Sequence, residues 1–403
     1  MLSEAIMKGL APDGGLFVSE QLPSINWQEW PLLSYPDFSA QLLCPFFEGD
    51  GLASQLPKLS TDTFNFPVPL KKLDDTTFVL ELFHGPTASF KDFGARFLAK
   101  CMEKIPESQQ TILVATSGDT GSAVASAFYR NLKHRVIILY PKGQISPIQE
   151  QQLTCWDDNV LAFAVRGSFD ECQQLVKSAF QQQALSNFSS ANSINIGRLL
   201  PQMTYYAYTS VQFYRKHQTS PGFIIPSGNL GHATAAYWAQ ALGFPIRDIV
   251  LSTNANTVLS DYLRSGDYTT RPSIHTIANA MDVGNPSNFE RLRYLFPTFE
   301  TFKQHVRAIS VTDVEIGQTI QNLYQRFQYI SCPHTATAFY ARKKLNAQPW
   351  VVVATADPGK FSRAIEPIIK TTVPMSDNLR TLLDRKTTKI EINPLLPELM
   401  EYL

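Results

Sequence analysis

The 403-residue chain has no excess of charge of either sign and little charge at all. Lys and Arg number 35, Asp and Glu also number 35, and only 17% of residues are charged. Phosphate-backbone binding at physiological salt needs a concentrated basic face, and no Lys/Arg run supplies one, so nucleic acid is not an expected partner. Long hydrophobic runs are also missing. Runs such as Val136 to Tyr140 and Val351 to Ala354 are strand-sized, and all are far from the roughly 20 apolar residues that span a membrane. A soluble chain with no membrane partner is expected. Met1-Leu2-Ser3-Glu4-Ala5 lacks the basic region and apolar stretch of a secretory signal, which makes the cytoplasm the expected compartment. Cysteine is scarce: Cys44, Cys101, Cys155, Cys172 and Cys332 are scattered, odd in number and never at metal-ligand spacing. Buried thiols are expected, not disulfides. The seven histidines show no i, i+4 pair and no adjoining Cys or carboxylate set, so no protein-built metal site is expected. There is no fixed-period repeat and no low-complexity linker.

What is present is an alternation. The first seventy residues, rich in Pro, Trp and Phe, read as a packed cap without its own sheet. From Phe78-Val79-Leu80-Glu81-Leu82-Phe83 onward, strand-like runs recur at Thr111 to Ala115, Arg135 to Tyr140, Val160 to Val165, Gly222 to Ile225, Asp248 to Ser252 and Trp350 to Ala354. Helix-length amphipathic segments separate them. That pattern predicts an α/β chain with mainly parallel sheets, helices on both faces, and ligands at the carboxyl ends of the strands. The polar segment from Tyr268 to Pro297 reads as a mobile surface excursion. After Lys370 the pattern thins into Pro-broken pieces that are expected to wrap the outside.

Four loops and one further element after such strands carry reactive or anion-binding side chains. In Phe83-His84-Gly85-Pro86-Thr87-Ala88-Ser89-Phe90-Lys91-Asp92-Phe93-Gly94, Ser89 and Asp92 fit a capping pattern that opens a helix. Lys91 then falls in the first helical turn, a poor place for a cation. One reading is a solvated lysine; the other is an amine of depressed pKa suited to Schiff-base chemistry. In Thr116-Ser117-Gly118-Asp119-Thr120-Gly121, hydroxyls and free amides suit a carboxylate or phosphate, although ordinary helix capping would leave the same pattern. Pro226-Ser227-Gly228-Asn229-Leu230-Gly231-His232 repeats the design and matches neither the nucleoside-triphosphate loop nor the dinucleotide fingerprint. Asn192-Ser193-Ile194-Asn195-Ile196-Gly197-Arg198 offers a guanidinium for bidentate phosphate binding or for a surface ion pair. In Ala354-Thr355-Ala356-Asp357-Pro358-Gly359-Lys360, Thr355 is placed to hydrogen-bond a ligand.

A lysine, an anion loop and a phosphate loop in this order resemble the pyridoxal-phosphate enzymes of the tryptophan-synthase-β type. Within them the chain is similar to the bacterial and fungal threonine synthases. The resemblance runs nearly end to end: Gly9 through Val18, His84 through Thr87, Phe90 through Gly94, Thr116 through Gly121, Tyr140-Pro141-Lys142-Gly143 with Ile145-Ser146-Pro147, Asn192 through Asn195 with Arg198, Pro226 through Gly231, and Asn279 through Val283. It implies two αβα lobes with an N-terminal cap over 1–70, a catalytic core over 71–375 and a C-terminal wrap over 376–403. The smaller lobe would span about 90–195, and the larger 71–89 with 196–375. It implies pyridoxal 5'-phosphate bound to Lys91 as a Schiff base, with Gly228, Asn229, Leu230, Gly231 and His232 on its phosphate and Thr355 on its pyridine nitrogen. Ser117, Asp119 and Thr120 would meet the substrate and the ring face. Asn192, Ser193 and Arg198 would form the rest of the substrate site, with Ser193 and Arg198 gripping its phosphate. The implied reaction converts O-phospho-L-homoserine and water to L-threonine and phosphate, with Lys91 as base and acid. A phospholyase or a serine/threonine dehydratase would use the same parts, and a non-catalytic anion or nucleotide binder would use the loops alone. Monomer and homodimer both stay open. The sequence departs from the family pattern at His232, where an acidic or amide residue is usual, and at Asp357, where His is expected. The short first strand with a Tyr-x-Ser-Thr-Arg pattern has no counterpart before Met1, so a truncated N-terminus or a misassigned start is expected.

Overall fold

A computed structural model describes residues 1–106, 109–181 and 187–403. The chain builds two sheets. The larger has six strands in the order β1 (Leu70–Lys72), β2 (Thr77–Glu81), β10 (Trp350–Ala354), β7 (Gly222–Pro226), β8 (Asp248–Thr253) and β9 (Arg307–Ser310). Among the described residues of this sheet, only β1 runs antiparallel to its neighbour. The smaller sheet is wholly parallel, in the order β11 (Ile390–Ile392), β5 (Val160–Val165), β4 (His134–Pro141), β3 (Gln110–Ala115) and β6 (Phe188–Ser189).

Both sheets are covered on both faces, which is why their central strands read as unbroken apolar runs. In β4, Val136, Ile138 and Tyr140 join the main core while Ile137 and Leu139 face a second core that includes Cys172 and Leu175 of helix Phe169–Phe180. The period-2 alternation of a strand produces that split. In the large sheet, Phe223 and Ile225 face the main core, whereas Ile224, Val250 and Val352 meet Phe339 of helix Pro333–Arg342. The N-terminal helices pack on the outside of this frame; Tyr35 bonds Thr204 across 2.7 Å and stacks edge-on to Phe93.

Two regions differ from the sequence reading. The Tyr268–Pro297 segment is no simple surface excursion: Ala278, Met281, Asn288 and Arg291 are buried. Asn254 and Asn256, which follow β8, bond Thr276 and Asp282, so the excursion satisfies polar groups that the sheet end leaves open. The final segment does more than wrap the outside, since β11 extends the small sheet alongside β5 and Leu399 enters its core. Among the described residues, no helix is long and apolar enough to cross a membrane.

Candidate active site

The chain leaves the large sheet after β2, builds the small sheet, and returns for β7 to β10, so the carboxyl ends of β2, β3, β7 and β10 come together between the sheets. A cavity of about 880 Å³ including its mouth lies there. It is lined by all thirteen site residues expected from sequence: Lys91, Ser117, Asp119, Thr120, Asn192, Ser193, Arg198, Gly228, Asn229, Leu230, Gly231, His232 and Thr355.

Lys91 opens helix Lys91–Lys104. The expected Ser89/Asp92 cap does not form. Asp92 turns back instead to accept from the Thr87 amide at 2.9 Å and the Thr87 hydroxyl at 2.6 Å, and the Ser89 hydroxyl has no partner among the described residues. Phe90 N–H donates to Thr355 O at 2.9 Å and Asp357 N–H to Ala88 O at 3.0 Å, which staples this loop to the one after β10. Lys91 is half-buried with its accessible part on the cavity, and its ammonium nitrogen lies 5.5 Å from the Phe90 ring centre. It makes no hydrogen bond or ion pair among the described residues. Burial pushes its amine down to about 8; the Asp119 carboxylate pulls the other way, and the Lys360 and Arg198 cations add to the depression.

The two glycine loops differ in how their amides are used. After β3, the Thr116 hydroxyl accepts from Gly118 N–H at 3.0 Å and Gly121 N–H at 2.9 Å, leaving the Ser117, Asp119 and Thr120 amides without acceptors among the described residues. Gly118 sits at φ 133°, and a β-carbon there would come within 2.5 Å of the Gln149 amide. After β7, Ser227 N–H bonds Ser252 O, but the amides of Gly228, Asn229, Leu230 and Gly231 donate to nothing among the described residues. They precede helix Gly231–Ala241, whose dipole adds positive potential at that end. The Ser227 hydroxyl is buried and unpaired there as well. A β-carbon at Gly228 would lie 2.8 Å from Met281 Cα, so only glycine lets the Asn279–Met281 turn close this wall.

His232 shares the first turn of that helix but keeps its ring out of the loop. Its Nε2 donates to Pro226 O at 2.6 Å, Tyr206 donates to Nδ1 at 3.0 Å, and Phe90 stacks on it at 4.3 Å. Burial drives its pKa down to about 4, so the imidazole is neutral and locked in one tautomer. Only its backbone is available to a bound phosphate.

Arg198 is buried in the short helix Ile196–Leu199. One guanidinium nitrogen donates to Ala191 O while Nε has no partner, and burial lowers its pKa to about 10. Asn192 ties this segment to the end of β3 through Ala115 O at 3.1 Å. Arg291, fully buried, donates to Ser193 O, Ile194 O and Phe17 O, so the N-terminal segment and the 193–194 turn are held by one side chain.

Behind Lys91 lie groups that the sequence reading did not single out. Lys360 is wholly buried, 2.7 Å from Asp119 Oδ1, and donates to Thr87 O at 3.0 Å. Although burial opposes ionisation of Asp119, the Lys360 cation first, then Lys91, hold its carboxyl well below the usual range. The departure at Asp357 has a structural reason: its carboxylate caps the Pro358–Phe361 turn by accepting from Gly359 N–H at 2.7 Å, which fixes Lys360. His334 also lines the cavity; Ala280 N–H donates to its Nε2 at 3.1 Å and burial lowers its pKa to about 4. The signals for these residues were weak. Lys360 ended a recognised polar turn, and His334 followed a Cys-Pro helix start without a second ligand-type residue nearby. Among the described residues, no group of three or more His, Cys, Asp or Glu is placed to hold a metal ion.

The family described as "Pyridoxal-phosphate dependent enzyme" matches residues 62–356, and that described as "Threonine synthase N terminus" matches residues 1–64. A threonine synthase of Haemophilus influenzae is 38% identical over 387 residues, covering 94% of this chain and 90% of that protein. The crystal structure of threonine synthase from Escherichia coli superposes with a TM-score of 0.93 at 34% identity, covering 100% of this chain and 96% of the other. A pyridoxal-phosphate-bound threonine synthase from Brucella melitensis gives 0.92 at 32% identity, with 100% and 95% covered. An unpaired amine and a cradle of open amides line one cavity, and the chain belongs to the threonine synthases among the pyridoxal-phosphate-dependent enzymes.

Proposed function

We propose that this chain converts O-phospho-L-homoserine and water to L-threonine and phosphate, with pyridoxal 5'-phosphate held by Lys91. One observation carries the reading: a single cavity contains an unpaired lysine amine, a run of four open amides at a helix N-terminus, and, apart from that run, a buried guanidinium with a free nitrogen. Two anion-binding ends and one nucleophilic amine suit a phosphate-bearing cofactor and a phosphate-bearing substrate.

Gly228 to His232 would hold the cofactor phosphate through backbone N–H groups, and Thr355 would reach the pyridine nitrogen. Thr355 is well fixed for that task, since its N–H donates to the Thr335 hydroxyl at 3.2 Å and its carbonyl accepts from Phe90. Bound pyridoxal phosphate supplies an electron sink that acidifies the substrate Cα–H and, in turn, Cβ–H. Ser117, Asp119 and Thr120 orient the amino acid through hydroxyls and amides, while Asn192, Ser193 and Arg198 bind its phosphate. The Lys91 amine, when not engaged with the cofactor, would remove a proton from the substrate Cα and then one from Cβ. Phosphate leaves from Cγ with the electron pair of the C–O bond, protons return to Cγ and Cα, and water adds its hydroxyl at Cβ. The walls formed by Met281 and Val283 limit stray water around these steps.

The cap over 1–70, the core over 71–375 with its two lobes, and the terminal segment over 376–403 serve as the working division of the chain. All five cysteines are free thiols, which suits a reducing compartment, the cytoplasm. The direct test is turnover of O-phospho-L-homoserine by the parent protein and by Lys91→Ala, with phosphate and amino acid both quantified. Equal phosphate and threonine from the parent, and a loss of about 10³-fold or more in the variant, support the reading. Phosphate accompanied by 2-oxobutyrate would make the chain a phospholyase, and a colourless protein that retains phosphate would make it a binder.

A further inference from the structure

Lys91 and Asp119 line the cavity, a second lysine, Lys360, lies behind them, and among the described residues the carboxylate is closely paired with only one of the two. Lys360 has it: its ammonium lies 2.7 Å from Asp119 Oδ1, and both side chains are buried. Gln149 Nε2 donates to the same oxygen at 3.0 Å, while Asp119 Oδ2 takes no hydrogen bond among the described residues. Lys360 is itself fixed. Its ammonium donates to Thr87 O, its carbonyl accepts from the Ser146 hydroxyl at 3.0 Å, and the Asp357-capped turn sets its backbone. Thr87 in turn holds Asp92, the neighbour of Lys91, through two hydrogen bonds.

We propose that Lys360 is a positioning residue that occupies Asp119 and thereby keeps Lys91 unpaired and free to act as amine and base. This rests on the reading of Lys91 given above and adds a residue to it. The charged groups around Lys91 are few. Asp119 on helix Asp119–Phe128 favours its charged form, Lys360 and Arg198 disfavour it, and Asp92 is consumed by Thr87. His232 and His334 face it as neutral rings. If the Lys360 charge is removed, Asp119 becomes a buried carboxylate whose nearest remaining cation is Lys91. An uncompensated buried charge is costly, so the carboxylate captures that amine. Lys91 would then be held protonated and paired, unavailable to cofactor or substrate.

The test is the pH midpoint for acetylation of Lys91 by acetic anhydride in the full-length chain stripped of cofactor, read by peptide mass spectrometry. In the parent the expected midpoint is near 8. In Lys360→Met it is expected to rise by about one unit or more, the effect of an opposite charge brought close. Lys360→Arg keeps the parent midpoint, and adding Asp119→Asn to Lys360→Met brings the midpoint back down. An unchanged or lower midpoint in Lys360→Met overturns the proposal. So does a parent midpoint at or above that of an ordinary lysine, a result that stands even if the variants do not fold. Whether Lys91 carries the cofactor is read separately, by borohydride fixation in the holoenzyme, so the two ideas fail independently.

Discussion

The loops after β3 and β7 look alike in sequence, each a strand followed by hydroxyl, glycine and a helix of small residues, yet they use their amides differently. In the β3 loop a threonine hydroxyl takes up two of the amides, and a carboxylate sits at the helix start with its own buried counter-ion. In the β7 loop no group among the described residues takes up the amides of Gly228 to Gly231 and no side-chain charge is present, because the one titratable residue, His232, is neutral and turned away. The second arrangement suits a resident dianion. The first suits a transient, zwitterionic amino acid, whose charges it can match in part with its own. Composition alone does not separate them; which side chain satisfies which amide does.

Gly228→Ala should produce the largest separation between the two. Its β-carbon meets Met281 Cα, so the cradle must distort. Overpacking of this kind costs up to about 3 kcal/mol, or roughly 100-fold in cofactor retention, measurable by equilibrium dialysis. Retention equal to the parent's would show that the β7 amides are not the anchor. Arg198→Ala should act on the other end: kcat/KM for the phosphorylated substrate falls about 10- to 100-fold, as expected for one charge-assisted hydrogen bond, while cofactor retention holds. Loss of cofactor in that variant would reassign the guanidinium. Thr116→Val should be milder, destabilising the fold by about 1–3 kcal/mol through two unpaired buried amides, with the β7 loop untouched. Urea unfolding of the holo and cofactor-free forms distinguishes this from a cofactor effect.

A further effect concerns pH. His232 and His334 titrate at about 4 in the folded chain against an ordinary 6.5, so between those values the unfolded chain binds more protons. Their contribution to stability is full above 6.5 and is lost as pH falls toward 4. Replacing His232 with Gln should flatten that acid slope; an unchanged slope would mean the ring is solvated and not tied to Pro226.

Much of this site was legible in the sequence because it rests on long, doubly covered strands with glycine-bearing loops at their ends. The strands at Thr111 to Ala115 and Val160 to Val165 coincide with β3 and β5. The short edge strands were not legible. β1 is Leu-Lys-Lys, β6 has two residues, and β9 starts on an exposed arginine, so none shows an apolar run or a usable alternation. Lys360 and Arg291 were hidden for another reason. A buried cation is recognised by partners distant in sequence, here Asp119 and the carbonyls of Phe17 and Ser193, and local pattern holds no record of them. The Tyr268–Pro297 stretch misled in the opposite sense, since Thr276 and Asp282 are paired with each other and with the β8 loop and Asn288 and Arg291 are buried, while Thr269, Arg271 and Glu290 stay exposed.

The central claim is that of two neighbouring lysines, Lys91 on the cavity wall carries the cofactor and Lys360 behind it serves the carboxylate. Reduction of the holoenzyme with borohydride, digestion and mass mapping of the fixed pyridoxyl group tests it most directly. The account predicts the label on the peptide containing Lys91 alone. Label on Lys360, or no fixed label at all, would contradict it.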